Sequence, residues 1–346
     1  MTDLIEYSEW IPNSTFFDYT PMETNYCEME ETFKFSATFT CILYSLIFFF
    51  SLLGNSLVLW IVIKYENLKS LTNLFILNLC ITDLTFSCTL PFWIGYHYYG
   101  WIFGGFLCKA VSAIFSISYY GGVIFLTIMT ILRYLAVVDP LSTMRTQTKK
   151  CGILMSIAIW GSSVMVTVPE TIFIQVINDP YGRQHCDYQE SFIWKLVEMS
   201  LQVTFFLLSF LIIVACYIGM LKILLRSRSQ RRHRTVRLIF AIVVVFFLSW
   251  APYNVLKFVY VFSIQHVIEP ECQTRNHIFF AFDISRKIAY CHCCINPILY
   301  VFVGVKFRRH LKLLYKQFFP YHGRIPPSSS RMHSSHLGPY DEASMY

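Results

Sequence analysis

An all-α membrane protein, a seven-transmembrane helix bundle with a short cytoplasmic amphipathic eighth helix, is the fold class this sequence predicts. Three observations predict it. Seven apolar runs lie near residues 37–63, 74–96, 107–132, 152–172, 193–224, 236–262 and 277–303, and a membrane-spanning helix needs about 20 mostly apolar residues. The chain is 55% hydrophobic and 14% charged, with a mean hydropathy of +0.49. Its charges also separate by side of the membrane. Seven such runs do not fit inside a soluble protein of 346 residues. Only helices and closed barrels satisfy the backbone in lipid, and the nearly unbroken run Ile42 to Leu53 lacks the period-two alternation of a barrel strand.

Taken in order, residues 1–35 form an acidic extracellular tail, 36–303 the bundle, 304–319 an amphipathic helix on the inner leaflet and 320–346 a flexible Ser-rich cytoplasmic tail. The first run carries Asn55 and the second carries Asp83. The third ends at Arg133, the fourth carries Trp160, the sixth Trp250, and the seventh ends in Asn296-Pro297-Ile298-Leu299-Tyr300. Pro91, Pro169, Pro252 and Pro297 fall within helical runs. Each removes one backbone hydrogen bond and bends its axis. After the seventh run, Phe307, Leu311, Leu314, Tyr315 and Phe318 recur at helical spacing among basic residues, the pattern of a helix lying on lipid.

Charge sets the expected orientation. Residues 1–33 hold Asp3, Glu6, Glu9, Asp18, Glu23, Glu28, Glu30 and Glu31 and no Lys or Arg. Basic clusters follow the third run (Arg145, Lys149, Lys150), the fifth (Arg226, Arg228, Arg231, Arg232, Arg234) and the seventh (Lys306, Arg308, Arg309, Lys312, Lys316). The positive-inside rule then places the N-terminus outside and the C-terminus in the cytoplasm. The net charge of +7 is therefore a topology signal, and nucleic-acid binding is not expected. The first 30 residues lack an apolar core, so the first helix is expected to direct insertion.

The same topology sorts the twelve cysteines. Cys27, Cys108, Cys186 and Cys272 fall in or beside outer segments, where disulfides persist. Four cysteines allow three pairings, among which spacing does not choose. Cys291-His292-Cys293-Cys294 reads as core packing or as a metal site, the former being the ordinary case.

The loops are short. They hold no soluble catalytic domain, phosphate-binding glycine loop or zinc spacing, and no nucleophile–base–acid set is apparent, so no enzymatic activity is expected. A receptor or a transporter remains, and the two halves show no internal repeat of the kind transporters often carry. Polar groups at bundle depth need a reason to be there. Asp83 reads either as part of a hydrogen-bonded knot fixing helix register or as the charged ligand of a small cation.

Asn55, Asp83, Arg133-Tyr134, Trp160, Trp250-Ala251-Pro252-Tyr253 and Asn296 to Tyr300 occur along the successive helices in an order that resembles the rhodopsin-like G-protein-coupled receptors. Thr89-Leu90-Pro91-Phe92-Trp93, Trp101-Ile102-Phe103-Gly104, Arg133 to Val138 and His292 to Pro297 are similar to the chemokine-receptor branch. Leu71 to Cys80, Arg226 to Val236 and Leu299 to Lys312 look most like its XC subfamily. The likeness covers about residues 35 to 320.

That resemblance implies disulfides Cys108–Cys186 and Cys27–Cys272, the second tying the tail over the pocket mouth. It implies a secreted basic chemokine ligand of XC type (lymphotactin), captured by the acidic tail. Tyr7 and Tyr19 stand beside acids as sulfation candidates, and Asn13 opens a glycosylation acceptor. The ligand's N-terminus would enter a pocket of Trp93, Tyr96, Phe115, Tyr119, Glu198, Lys257, Tyr260, Asp283 and Arg286. Many relatives carry a glutamate where Arg286 stands; here pairing with Asp283 together with ligand selection is expected. Trp250 and Pro252 would act as trigger. Tyr217 and Tyr300 would rearrange toward Arg133 and Tyr134, with Asn296 and Pro297 in the same switch. The inner ends of the fifth and sixth helices would part for a helix of a heterotrimeric G protein of the Gi class. Arrestin would read the phosphorylated tail. No cofactor is implied beyond an allosteric sodium ion at Asp83 with Ser118, His292 and Asn296.

Three departures matter. Leu132 replaces the acid usual before Arg133, Ser209 replaces the fifth helix's proline, and Gly122 replaces a serine near the sodium position. The expected function is Gi-coupled chemokine reception in cell migration, at the plasma membrane. The alternatives are a chemokine scavenger without G-protein coupling, for which Leu132 speaks, or a CC-type receptor.

Overall fold

The computed structural model describes residues 30–139, 148–178, 182–188, 192–224, 230–264, 272–303 and 305–318. Asn13, Tyr7, Tyr19 and the Cys27–Cys272 pairing lie outside the described residues. The elements, in chain order, are α1 (Glu30–Tyr65), α2 (Leu71–Ser87), α3 (Leu90–Tyr99), α4 (Gly104–Val138), α5 (Lys149–Phe173), β1 (Ile174–Asn178), β2 (Gln184–Tyr188), α6 (Phe192–Leu224), α7 (Gln230–Ile264), α8 (Cys272–Tyr290), α9 (His292–Val303) and α10 (Val305–Phe318). The second and seventh spans are each two helical segments: α2 with α3, and α8 with α9.

Burial is arranged for lipid. Large apolar side chains face outward along the spans, among them Phe49, Phe50 and Leu53 of α1, Leu154 and Met165 of α5, Leu211 of α6 and Leu248 of α7. Polar side chains go inward, including Asn55, Asn78, Asp83, Asn254 and Asn296. Among the described residues, six spans are long and apolar enough to cross a membrane by themselves. The seventh falls short because its outer segment α8 carries Arg275, Asp283, Arg286 and Lys287. It completes the bundle by packing α8 against α7 and α9 against α1.

α4 is the central strut and packs against α2, α5, α6 and α7. Two buried polar links fix its neighbours. The Trp160 indole N–H donates to Asn78 Oδ1 at 2.9 Å, and Asn78 Nδ2 donates to Ser156 Oγ at 3.2 Å, joining α2 to α5. Gly54 permits the close approach of α1 to α9, since a Cβ there would stand 2.8 Å from Pro297 Cβ.

The broken spans sharpen the proline reading. Pro169, Pro252 and Pro297 lie inside helices, whereas Pro91 stands in the first turn of α3, just past a break at Cys88-Thr89. A proline in a first turn leaves no donor missing. The seventh span breaks at Cys291 and not at Pro297. Side chains take up carbonyls around that break: His292 Nδ1 binds Ala289 O at 2.6 Å, Cys293 Sγ binds Tyr290 O at 3.0 Å and Cys294 Sγ binds Cys291 O at 3.1 Å. Among the described residues no group of three or more His, Cys, Asp or Glu is placed to hold a metal ion.

The hairpin was not part of the sequence prediction. β1 and β2 pair antiparallel from Ile174 opposite Tyr188 to Asn178 opposite Gln184. The Cys108–Cys186 disulfide, with Cα atoms 5.6 Å apart, ties it to the first turns of α4. In α10, Phe307 and Leu314 are buried and Leu311 packs on the core, while Tyr315 is exposed and so falls off the buried stripe.

Candidate functional site

Four of the nine expected pocket residues stand in two ion-paired groups, Lys257 with Glu198 and Arg286 with Asp283. In the first, Lys257 of α7 donates to Glu198 Oε1 and to Gln202 Oε1 of α6, each at 2.6 Å, and its ammonium lies 5.8 Å from the Tyr253 ring. In the second, Asp283 is held between two cations one turn away. Arg286 donates to it at 2.7 Å, and Lys287 donates to its second oxygen. This agrees with the Arg286–Asp283 pairing read from spacing and adds Lys287, which the sequence reading passed over although it stands four residues from Asp283. Phe282 lies between Tyr260 and Tyr253, stacked with centroids 4.7 and 5.6 Å away.

Trp93, Phe115 and Tyr119 line the remaining inner face. Phe115 packs on Phe86, Trp93 and Tyr290, with centroids 5.3, 6.4 and 5.6 Å away. Tyr96 bonds His185 of the hairpin at 2.9 Å, which links the pocket rim to β2. Not all nine residues share one cavity. Glu198 lines an outer cavity between α4, α5 and α6, with Glu170, Tyr120, Tyr188 and Trp194. Tyr119 lines an inner one with Trp250. Glu170 and Gln202 were missed because single polar residues in apolar runs give no periodic signal.

The inner cavity brings together Asp83, Ser118, His292 and Asn296, with Thr82, Gly122, Phe246 and Trp250 around them. Asn296 Nδ2 donates to Asp83 Oδ2 at 2.9 Å. His292 Nε2 stands 3.7 Å from Asp83 Oδ1. A carbonyl can only accept, so the 2.6 Å contact with Ala289 O puts the proton of a neutral His292 on Nδ1. Its Nε2 lone pair then faces a carboxylate oxygen, and a proton or a small cation between them resolves that opposition. Ser118 bonds Thr85 Oγ1 at 2.8 Å. Neighbouring Asn55 donates to Cys293 O at 2.9 Å and to Ser51 Oγ at 3.0 Å, and Ser87 donates to Ser51 Oγ at 2.6 Å. The residues fit a small oxygen-seeking cation.

Trp250 is fully buried, 4.5 Å from Tyr119 and 5.4 Å from His292 between ring centroids. It therefore lies between Tyr119 and the Asp83 cluster, two residues before Pro252. Nearer the inner end, Tyr134 lies so close to Gly219 that a Cβ there would stand 2.5 Å from its ring. Tyr217 packs on Phe240 at 5.0 Å. The Tyr300 hydroxyl is buried without a hydrogen-bond partner among the described residues, and the Tyr217 hydroxyl lies beside Thr130, so neither bonds Arg133 in this arrangement. Leu132 packs on the apolar core and offers Arg133 no charge.

The bundle carries a disulfide-tethered hairpin at one end, and sequence comparison identifies its family. Residues 54–300 match the family described as 7 transmembrane receptor (rhodopsin family). The chain is 48% identical to human "Chemokine XC receptor 1", covering 97% of this chain and 98% of that protein. It is 47% identical to the mouse protein of that name over 88% and 91%, and 36% identical to human "C-C chemokine receptor type 1" over 87% and 86%. The chain belongs to the rhodopsin family of seven-transmembrane receptors and, within it, to the chemokine receptors. These are receptors and not enzymes.

Proposed function

We propose that this chemokine receptor takes an XC-type (lymphotactin) chemokine and couples it to heterotrimeric Gi proteins at the plasma membrane. The observation that carries the ligand class is the gap between 48% identity to human Chemokine XC receptor 1 and 36% to human C-C chemokine receptor type 1.

Orientation follows from chemistry. The disulfide at the hairpin end suits an oxidising exterior. By the count of crossings, Lys149, Lys150, Arg308, Arg309 and Lys312 lie at the other end, which suits the cytoplasm. The acidic tail outside attracts a basic chemokine, and sulfate on Tyr7 and Tyr19 and glycan on Asn13 belong to the same face. Inside, α10 rests on membrane lipid and the Ser-rich tail serves arrestin.

In this reading the ligand's N-terminus presses the Tyr119–Trp250 contact and biases a two-state bundle by its differential affinity for the two states. Sodium at Asp83 favours the resting arrangement. Movement of α6 and α7 brings Tyr217 and Tyr300 to Arg133. A buried hydroxyl without a partner costs about 1–3 kcal/mol, and that rearrangement would relieve the cost at Tyr300. Pro252, Asn296 and Pro297 supply the hinges, and Tyr134 lines the opening for the Gi helix.

The test is Gi activation by purified lymphotactin-type chemokine in cells expressing this chain, with Arg133→Ala as control. Dose-dependent activation lost in the mutant is the expected result. Binding and internalisation without activation would assign a scavenger, the reading that Leu132 favours. No binding would redirect the ligand class to the C-C chemokines.

A further inference from the structure

We propose that the inner end of α1 carries a binding site for an anionic phospholipid of the cytoplasmic leaflet, in which Lys64 takes the phosphate while Trp60 and Tyr65 hold the Lys64 ammonium in place. The site adds a lipid ligand to the receptor reading above and borrows from that reading only the side of the membrane on which Lys64 lies.

The site begins as a sequence pattern. Leu53, Leu57, Trp60 and Lys64 follow one another at spacings of four, three and four residues, which sets them in one line along a helix. All four are exposed, while α1 packs its other faces on α2, α3 and α9, so this line meets lipid. From Leu53 to Lys64 the helix rises about 16 Å, close to half of a hydrocarbon core roughly 30 Å thick. A phospholipid lying along the line has its acyl carbons at Leu53 and Leu57, its ester region at Trp60 and its phosphate at Lys64. Tryptophan favours that interfacial depth.

A lysine at the end of a span ordinarily snorkels toward water on a free side chain. Lys64 is held instead. Its ammonium stands 4.7 Å from the centre of the Trp60 ring and 5.3 Å from that of Tyr65, and those two rings meet edge to face with centroids 5.7 Å apart. Tyr65 in turn stacks on His310 of α10 at 5.2 Å, which ties the arrangement to a second helix. The neighbouring carboxylate is turned elsewhere. Glu66 Oε1 meets His310 Nε2 at 3.2 Å, and its Oε2 accepts from Asn73 Nδ2 at 3.1 Å. Lys64 makes no ion pair among the described residues. An ammonium fixed on two aromatic faces, with no carboxylate to neutralise it, is preorganised for an anion.

The surroundings name the anion. The line runs from Lys64 into the lipid-facing side chains of Leu57 and Leu53 and away from water. On α10, Arg309 and Leu313 stand four residues apart and are both exposed, which repeats the pairing of a cation with an apolar side chain on one helix face. Such pairs suit an amphiphile with a negative head. A soluble phosphate would use the cations and leave the apolar line unused.

The test uses the full chain in phosphatidylcholine nanodiscs that carry a trace of diazirine-bearing phosphatidylserine or, in parallel, of diazirine-bearing phosphatidylcholine. After illumination, mass spectrometry measures adducts on residues 53–65. The serine probe should label this segment about fivefold more than the choline probe, the worth of one basic residue facing an anionic head. Lys64→Gln should remove the excess and Lys64→Arg should restore it. Lys69→Gln, an equal loss of charge a few residues on, should leave it in place. Equal labelling by the two probes on wild type would make Lys64 an ordinary interfacial lysine and overturn the site. An excess lost as fully in Lys69→Gln would assign it to the diffuse basic field of the inner face, which also overturns the site. Competition by millimolar inorganic phosphate would overturn the lipid as its ligand. Nanodiscs offer the same lipid on both faces and the assay contains no chemokine or G protein, so failure of the receptor reading shows only in the Gi assay and failure of this site only here.

Discussion

The two halves of the bundle handle buried polarity in opposite ways. The outer half holds full charges in pairs: Lys257 on Glu198, and Arg286 and Lys287 on Asp283. The inner cavity sets Asp83 among amides, hydroxyls and a histidine. Paired charges are rigid and directional, so they discriminate between ligands and fix which end of a ligand lies where. A lone carboxylate among weak dipoles has several arrangements of similar energy, which is what a switch between two states requires. The outer half is thus built to select and the inner half to change, with Trp250 touching both.

The sharpest way to break this division is at the inner end. Arg133→Ala should abolish Gi nucleotide exchange while chemokine affinity falls less than about tenfold; equal loss of both would make Arg133 a folding residue. Next, Lys257→Met leaves Glu198 uncompensated and should destabilise the chain by about 3–5 kcal/mol, whereas Lys257→Met with Glu198→Gln should recover most of that loss. Thermal unfolding in nanodiscs reads both, and equal midpoints would show that the outer pairs are not rigid determinants. Asp83→Asn should keep the fold and remove any dependence of agonist affinity on sodium, a change of about tenfold or less; retained sodium dependence would move the cation elsewhere. The smallest effect is expected where α10 meets the end of α1. His310 Nε2 lies 3.2 Å from Glu66 Oε1 and stacks on Tyr65 at 5.2 Å. His310→Ala should cost about 1 kcal/mol or less, as a partly exposed pair does, and leave ligand affinity unchanged; a large fall in affinity would couple this corner to the pocket.

What was legible in the sequence is what depends on length and periodicity. The spans, the amphipathic α10 and the i, i+3 neighbours Asp283 and Arg286 follow from one helical period. Lys287 was equally accessible at i, i+4 and shows that a helix wall should be read as a set. Asp83, Ser118, His292 and Asn296 come from three different spans, and only their resemblance to a known pattern named them together. Nothing local in Glu170, Tyr188 or Trp194 signals a shared cavity, since they meet only when α5, the hairpin and α6 pack.

The sequence by itself determined that this chain crosses a membrane as a helical bundle, because about 20 apolar residues in a row have no other stable solution in lipid. It also determined which end is acidic and which is basic. The tertiary structure decided the rest. It broke the seventh span at Cys291 and left Pro297 inside a helix. It chose the Cys108–Cys186 disulfide and set two carboxylates, Glu170 and Glu198, around one void. The reason is the range of the forces involved. Hydrophobic burial is summed over a whole run and survives averaging along the chain. A hydrogen bond, an ion pair or a cavity depends on a few ångströms between residues far apart in sequence, and only packing sets that distance.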